Sequence, residues 1–251
     1  MTETPRGDVS IVVPAYAEER RIGAGVRALC ALARDFPRLR EVILVIEPSG
    51  DRTAAVAREA AAGDPLVTLV ENDVHRGKGF SVRSGMLRAA GEIIFFMDAD
   101  LSVPLRYVAP FVAHLDAHPD VDVAIGSRRH PGSVVTVRQN FAREKAGRWF
   151  NRVVRTLGLS DSKDTQCGFK AFTRTAAREI FSRARIDGFA FDTEALFLAR
   201  RLGLRVDELP VEWINDRDTK FRPFKDGWRS FCDLLRVRRS AGSVRPAARG
   251  D

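Results

Sequence analysis

The sequence predicts an α/β fold in which a mostly parallel sheet is flanked by helices. Three observations predict it. Short apolar runs recur at Val9–Val13, Glu41–Ile46, Leu66–Val70 and Ile93–Met97, almost free of polar alternation. Stretches with helical spacing separate them, and strands that alternate with helices pair in parallel and are buried on both faces. The chain has 251 residues and is 45% hydrophobic, enough for one large domain.

In chain order, VSIVVP reads as a buried strand stopped by Pro14, followed by a helical stripe at Ile22, Val26, Leu29 and Ala33. EVILVI is the second strand, and the loop EPSGD leads to Thr53, an expected N-cap for AAVAREAAA. Leu66–Val70 is the third strand, and HRGKG opens a helix over Phe80–Ala90. Ile93–Met97 is the fourth strand, ending in DADLS before a helix entered at Pro104. The second half is less regular. Val121–Ile125 is an expected strand ending in GSRR, and residues 132–158 are a basic, partly helical stretch. Gly168–Phe172 is a further strand, Asp192–Leu202 a helix and Val206–Trp213 a final strand, while residues 239–251 are an expected disordered tail.

Ligands of parallel sheets gather beyond the carboxyl ends of the strands. The loops PAYAEE, EPSGD, HRGKG and DADLS should therefore line one crevice. Asp98 and Asp100 close an oily strand, and carboxylates there must be solvated, paired or bound to a cation. Two hard oxygen donors separated only by Ala99 suit Mg²⁺ or Mn²⁺ holding a diphosphate, and equally suit a capped turn. HRGKG combines glycine backbone, Lys78 and a helix N-terminus. It reads as an anion site or as a plain helix entry, without the spacing of a Walker or Gly-x-Gly-x-x-Gly loop.

VVPAYAEE, HRGKG, DADLS, GSRR, DTQCGFK (164–170) and FDTE (191–194) occur in one order. In that order they resemble the family 2 glycosyltransferases of GT-A fold, and most of all the dolichyl-phosphate (polyprenyl-phosphate) β-glucosyltransferase branch. The resemblance covers residues 8–238. It implies a nucleotide-binding half at 8–126, an acceptor half at 127–214 and an amphipathic segment at 215–238. It implies a nucleotide-sugar donor, a divalent metal, inversion at the anomeric carbon and a polyprenyl-phosphate acceptor. Carried over by position, Pro14, Ala15, Tyr16 and Glu18 hold the nucleotide, with Lys78 near the base or a phosphate. Asp98, Ala99 and Asp100 hold the ribose and the metal, and Gly168–Lys170 and Asp192–Glu194 shape the sugar and acceptor side. The family usually has Asp-Asp-Gly-Ser after the second strand, where this chain has Ile46-Glu47-Pro48-Ser49. Glu47 there reaches further than aspartate, while Ser49, Asp51 and Thr53 still match.

A polyprenyl phosphate is already anionic, its second pKa being about 6, and needs no general base. It needs cationic positioning, and Arg128, Arg138, Arg143 and Lys170 answer that demand. Were the acceptor a hydroxyl, a carboxylate would have to take its proton, and Asp192 and Glu194 are the candidates. The same two residues read equally as an N-cap and a first-turn charge on TEALFLARRL.

Net charge is +8, unevenly spread: +7 over residues 126–158 and +6 over 217–251. Such segments seek polyanions. Phe224, Trp228, Phe231 and Leu235 fall on one helical face among arginines. That face suits a lipid headgroup layer or the domain core. No apolar run approaches the roughly 18 residues of a membrane span, and MTETPRGDVS lacks a signal pattern. Cys30, Cys167 and Cys232 lie far apart, as free thiols of a reducing cytosol do. The expected location is cytoplasmic, with peripheral contact at the cytoplasmic face of a membrane. Nucleic-acid binding is disfavoured because aromatics and arginines are not interleaved along one strand set. A dinucleotide oxidoreductase is disfavoured because PAYAEE replaces the glycine fingerprint. The rivals that survive keep the fold: a soluble family 2 enzyme with a small hydroxyl acceptor, or a GDP-mannose-dependent polyprenyl-phosphate mannosyltransferase.

Overall fold

Alternating faces of short apolar strands generate two core layers, one on each side of a single large sheet. In β1 (Val9–Ala15) Val12 points into one layer, while Val9, Ile11 and Val13 point into the other. In β4 (Ile93–Met97) Ile94 and Phe96 join the first layer, and Ile93, Phe95 and Met97 the second. The period of two makes a continuous apolar run the signature of a strand covered on both sides. The computed structural model describes residues 7–136, 152, 154, 156, 159–214, 230, 232, 233, 235 and 236.

The remaining elements are α1 (Ile22–Asp35), β2 (Leu39–Ile46), α2 (Thr53–Ala61), β3 (Val67–Glu71), α3 (Lys78–Arg88), a 3₁₀ turn at Leu105–Tyr107, α4 (Val108–Ala117), β5 (Val123–Ser127) and β6 (Val134–Val135). They continue with β7 (Phe169–Thr173), α5 (Arg174–Phe181), α6 (Phe191–Arg201), β8 (Val206–Pro210) and β9 (Glu212–Trp213). The seven-stranded sheet runs β3-β2-β1-β4-β7-β5-β8, and β6 and β9 form a separate parallel pair. Helices α3, α5 and α6 cover one face, and α1, α2 and α4 the other.

Several expectations shift. β7 lies antiparallel between β4 and β5, so the sheet is parallel except at this strand. Burial of Phe169–Phe172 was readable from composition, but strand direction was not. The expected strand 206–213 is split at Val211, where the chain leaves β8 for the β6–β9 pair. Pro210 has no N–H to continue a ladder. Pro14 does not stop β1, which runs to Ala15. Pairing with β4 ends at Val12, so Pro14 needs only its β2 side. Helix α5 was not anticipated, although Thr173 caps it by accepting from the Ala176 N–H at 3.2 Å. The arginines 138 and 143 and the aromatic residues 224, 228 and 231 lie outside the described residues, as does the tail.

The carboxyl ends of β1, β2 and β4 point the same way because these strands are mutually parallel. Their loops therefore share one edge of the sheet, and β7 delivers its start to the same edge by running backwards beside β4.

Candidate active site

The first two loops are sewn together. The Glu18 N–H donates to Thr53 Oγ1 at 2.6 Å, and the Glu19 N–H donates to Asp51 Oδ2 at 3.3 Å. Thr53 was expected as an N-cap. It is instead the first residue of α2, and its hydroxyl also donates to Asp51 Oδ1 at 2.7 Å. Ser49 Oγ donates to the same oxygen at 2.5 Å. Burial works to raise the Asp51 carboxyl, but the hydrogen bonds from Ser49 and Thr53 outweigh it and hold the group at about 2. Pro14 and Ala15 close β1, and Tyr16 is exposed beyond them, its ring stacked on His75 at 4.4 Å.

The third loop closes around an anion supplied by the second. Glu47 is 2% exposed. Its Oε1 accepts from Ser81 Oγ at 2.6 Å and Asn72 Nδ2 at 3.1 Å. Its Oε2 accepts from the backbone N–H of Arg76 at 2.8 Å and of Gly77 at 3.2 Å, with His75 Nδ1 at 2.6 Å. The N-terminal N–H groups of α3 at Gly79 and Phe80 donate to the Asp187 carbonyl at 2.8 and 3.3 Å. HRGKG is thus not an open backbone cradle for a phosphate, because Glu47 and Asp187 already satisfy it. Gly77 makes this possible: its φ is +122°, and a Cβ there would lie 2.5 Å from the Asp187 oxygen. The side chain of Lys78 takes no part in these bonds.

Lys78 reaches across to the fourth loop. Its Nζ lies 2.6 Å from Asp98 Oδ1. The Asp98 N–H donates to the Gly168 carbonyl at 3.0 Å, and a Cβ at position 168 would overlap Asp98 Oδ2. So the glycine of DTQCGFK is where the backbone just before β7 makes room for the first carboxylate. Asp100 accepts from the Ser102 N–H at 2.9 Å, and Leu101 between them has φ of +48°. Burial raises the Asp100 carboxyl above its ordinary range, and the charge on Asp98 raises it further. Two carboxylates pressing on each other in a part-buried turn are relieved by a cation, so the pair fits Mg²⁺ or Mn²⁺. A pocket beside them is lined by Met97, Asp98, Leu101, Ser102, Gly168 and Trp213.

The expected acceptor side is a set of buried ion pairs. Arg128 grips Asp164 with Nε at 2.7 Å and Nη2 at 2.8 Å, and its guanidinium lies 5.2 Å from the Trp213 ring. Lys170 is 1% exposed, ion-paired with Asp192, and donates to the Cys167 carbonyl at 2.6 Å. Asp192 therefore is not an N-cap, since Ala190 precedes the helix, and burial raises its carboxyl although Lys170 and Lys78 oppose the shift. Glu194 turns the other way and accepts from the Arg185 and Ile186 N–H groups, both at 2.9 Å. Burial pushes the Cys167 thiol up to about 12. Sequence reasoning missed Asp164, His75 and Asp187. Asp164 stood within the quoted DTQCGFK, but its partner lies 36 residues away.

The Arg128–Asp164 pair carries a pH dependence of definite sign. Asp164 is fully buried. Burial works to raise its carboxyl, but the charge and hydrogen bonds of Arg128 outweigh that and hold it at about 2. A carboxyl depressed below its unfolded value of about 3.9 stabilises the fold above that value and loses the contribution as pH falls through the folded value. The contribution is on the order of 2 kcal/mol and disappears between about pH 4 and pH 2. Urea unfolding across that window should show the wild type losing more stability than Asp164→Asn, which is already weaker at neutral pH. Parallel curves would refute the assignment.

The model described as "Glycosyl transferase family 2" matches residues 10–181. The "Dolichyl-phosphate beta-glucosyltransferase" of Drosophila melanogaster is 34% identical over 257 residues, spanning 94% of this chain and 76% of that one. The Homo sapiens protein of the same name is 33% identical over 250 residues, spanning 94% and 76%. Among solved structures, the glucosyl-3-phosphoglycerate synthase of Mycobacterium tuberculosis, crystallised with Mn²⁺, UDP and glucosyl-3-phosphoglycerate, superposes with a TM-score of 0.69. That match covers 97% of this chain and 82% of the synthase at 18% identity, a likeness of fold.

Proposed function

Because this chain belongs to glycosyl transferase family 2, with its GT-A fold and with dolichyl-phosphate β-glucosyltransferases as relatives, we propose that it transfers glucose from UDP-glucose to a polyprenyl phosphate with inversion. One observation supports the acceptor class above all. The two carboxylates that could serve as a base are both engaged elsewhere: Asp192 Oδ1 is in an ion pair with the buried Lys170, and both Glu194 oxygens accept from backbone N–H groups. An acceptor that arrives ionised makes a base unnecessary, and a phosphate ester does so at neutral pH.

The residues divide the work. Tyr16, stacked on His75, offers an aromatic face for the base at the mouth of the crevice. Glu18 and Ser49 belong to the joined loops beside it, and Glu47 holds His75 and the backbone at Arg76 and Gly77 in place from beneath. Asp98 and Asp100 would hold Mg²⁺ or Mn²⁺, hard ions suited to carboxylate oxygens. When bound, the metal would supply charge that stabilises the departing nucleoside diphosphate. Lys78 adds a second cation on the same side. Arg128, stiffened by Asp164, presents its remaining N–H groups toward the acceptor phosphate, where a fork grips oxygens in two directions. Lys170 acts from below, neutralising Asp192 rather than touching the acceptor. The phosphate oxygen forms the new bond to the anomeric carbon as the bond from that carbon to the diphosphate oxygen breaks.

Among the described residues no helix is long and apolar enough to cross a membrane. We place the enzyme at the cytoplasmic face of a membrane, held by the basic segment 215–238, where the lipid acceptor resides.

The test is transfer in detergent from UDP-[¹⁴C]glucose and, in a parallel reaction, from GDP-[¹⁴C]mannose, with dolichyl phosphate and 3-phosphoglycerate as competing acceptors. The expected result is a metal-dependent glucolipid. Label appearing only in a water-soluble product would transfer the assignment to a small hydroxyl acceptor, and label only from GDP-mannose would replace the donor.

A further inference from the structure

We infer that Lys78 is an internal counter-ion that competes with the divalent cation for Asp98, and that a nucleoside diphosphate releases Asp98 by drawing Lys78 to itself. The inference rests on the reading of Asp98 and Asp100 as the metal-binding pair. Asp98 Oδ1 is buried, and among the described residues its close polar neighbour is Lys78 Nζ at 2.6 Å. A cation taken up by Asp98 would therefore meet an ammonium on the same oxygen.

The surroundings make that meeting costly to both cations. The ammonium lies 5.4 Å from the Phe96 ring centre and 5.8 Å from that of Phe191. Apolar walls screen charge poorly, and the Lys78 and Asp98 side chains are only 26% and 29% exposed, so water relieves the meeting only in part. The backbone that carries Lys78 is held on both sides, by Glu47 at Arg76 and Gly77 and by the Asp187 carbonyl at Gly79 and Phe80. Only the side chain is left to move, and its flexible stem can carry three N–H donors to a new acceptor. A diphosphate supplies such acceptors beside the same turn. Metal and nucleotide then bind cooperatively, because each removes an obstacle to the other, and the coupling factor must be equal in both directions.

The decisive experiment is Mn²⁺ titration followed by electron paramagnetic resonance of the free ion. Wild type, Lys78→Met and Lys78→Arg are compared with and without UDP, with thermal unfolding checking that each variant is folded. Without UDP, Lys78→Met is expected to bind Mn²⁺ roughly tenfold or more tightly than wild type, within the usual coupling range of about 5–150-fold. Lys78→Arg, which keeps the charge, should bind as weakly as wild type and serves as the folded control should the methionine variant be unstable. UDP should strengthen Mn²⁺ binding in wild type and do so much less in Lys78→Met. Equal Mn²⁺ affinity of wild type and Lys78→Met would overturn the inference while leaving the metal site standing. Failure of wild type with UDP to bind Mn²⁺ better than an Asp98→Asn, Asp100→Asn double variant would remove both.

Discussion

Replacing either Asp98 or Asp100 by asparagine should slow glucose transfer by at least about a hundredfold, equivalent to about 3 kcal/mol of transition-state stabilisation. The two side chains sit at the end of β4, where five fully buried residues deliver them to the crevice. Asparagine is nearly the same size, so the change removes charge and leaves the turn at Leu101 and Ser102 intact. The loss should appear in kcat at saturating donor, because a group that stabilises the departing diphosphate acts on the transition state more than on the bound substrate. A companion variant separates charge from space. Gly168→Ala leaves both carboxylates in the sequence but drives a methyl into Asp98 Oδ2. It should show the same defect with a normal unfolding midpoint. Full activity in either aspartate variant, with the acceptor saturating, would mean that the pair is a capped turn.

The largest expected effect on stability lies elsewhere in the site. Lys170→Met should cost about 3–5 kcal/mol, because it leaves Asp192 buried with its main partner gone. Lys170 and Asp192 are 1% and 4% exposed. Asp192 stays within electrostatic reach of Lys78, but that ammonium is in contact with Asp98. Replacing both members, as Lys170→Met with Asp192→Leu, should recover much of the loss, since the cost belongs to the unpaired charge and not to the missing bond. Urea unfolding of the two single variants and the double variant measures this directly. Additive losses in the double variant would show that the residues do not act as a pair. An acceptor-binding defect in Lys170→Met without loss of stability would instead return Lys170 to the acceptor phosphate.

Much of the fold was legible because burial on both faces leaves a mark in composition. The first four strands and the helices between them follow from VSIVVP, EVILVI, Leu66–Val70 and Ile93–Met97. The four loops on one edge follow in turn, since parallel strands must carry their carboxyl ends together. The order of β7 and β5 was not legible. Phe169–Thr173 reads as a buried strand in either direction, and its insertion beside β4 depends on packing against residues more than 70 positions away. The break at Val211 was hidden for a similar reason, because VDELPVEW is apolar enough for one strand and Pro210 only weakens the ladder there.

For the site, the sequence by itself determined which chemical groups reach the crevice. Two aspartates after an oily strand, a lysine after a glycine turn and a segment with Asp, Cys and Lys are local facts. Their local spacing decides where each is delivered. Only the tertiary structure decided which charges are spoken for. Glu47 lies inward under HRGKG, Asp187 caps α3 from about 110 residues away, Arg128 belongs to Asp164 and Lys170 to Asp192. The physical reason is that a buried charge takes whatever opposite charge folding brings within a few ångströms. That distance is set by the packing of remote segments, whereas a strand or a helix is set by its own neighbours in the chain.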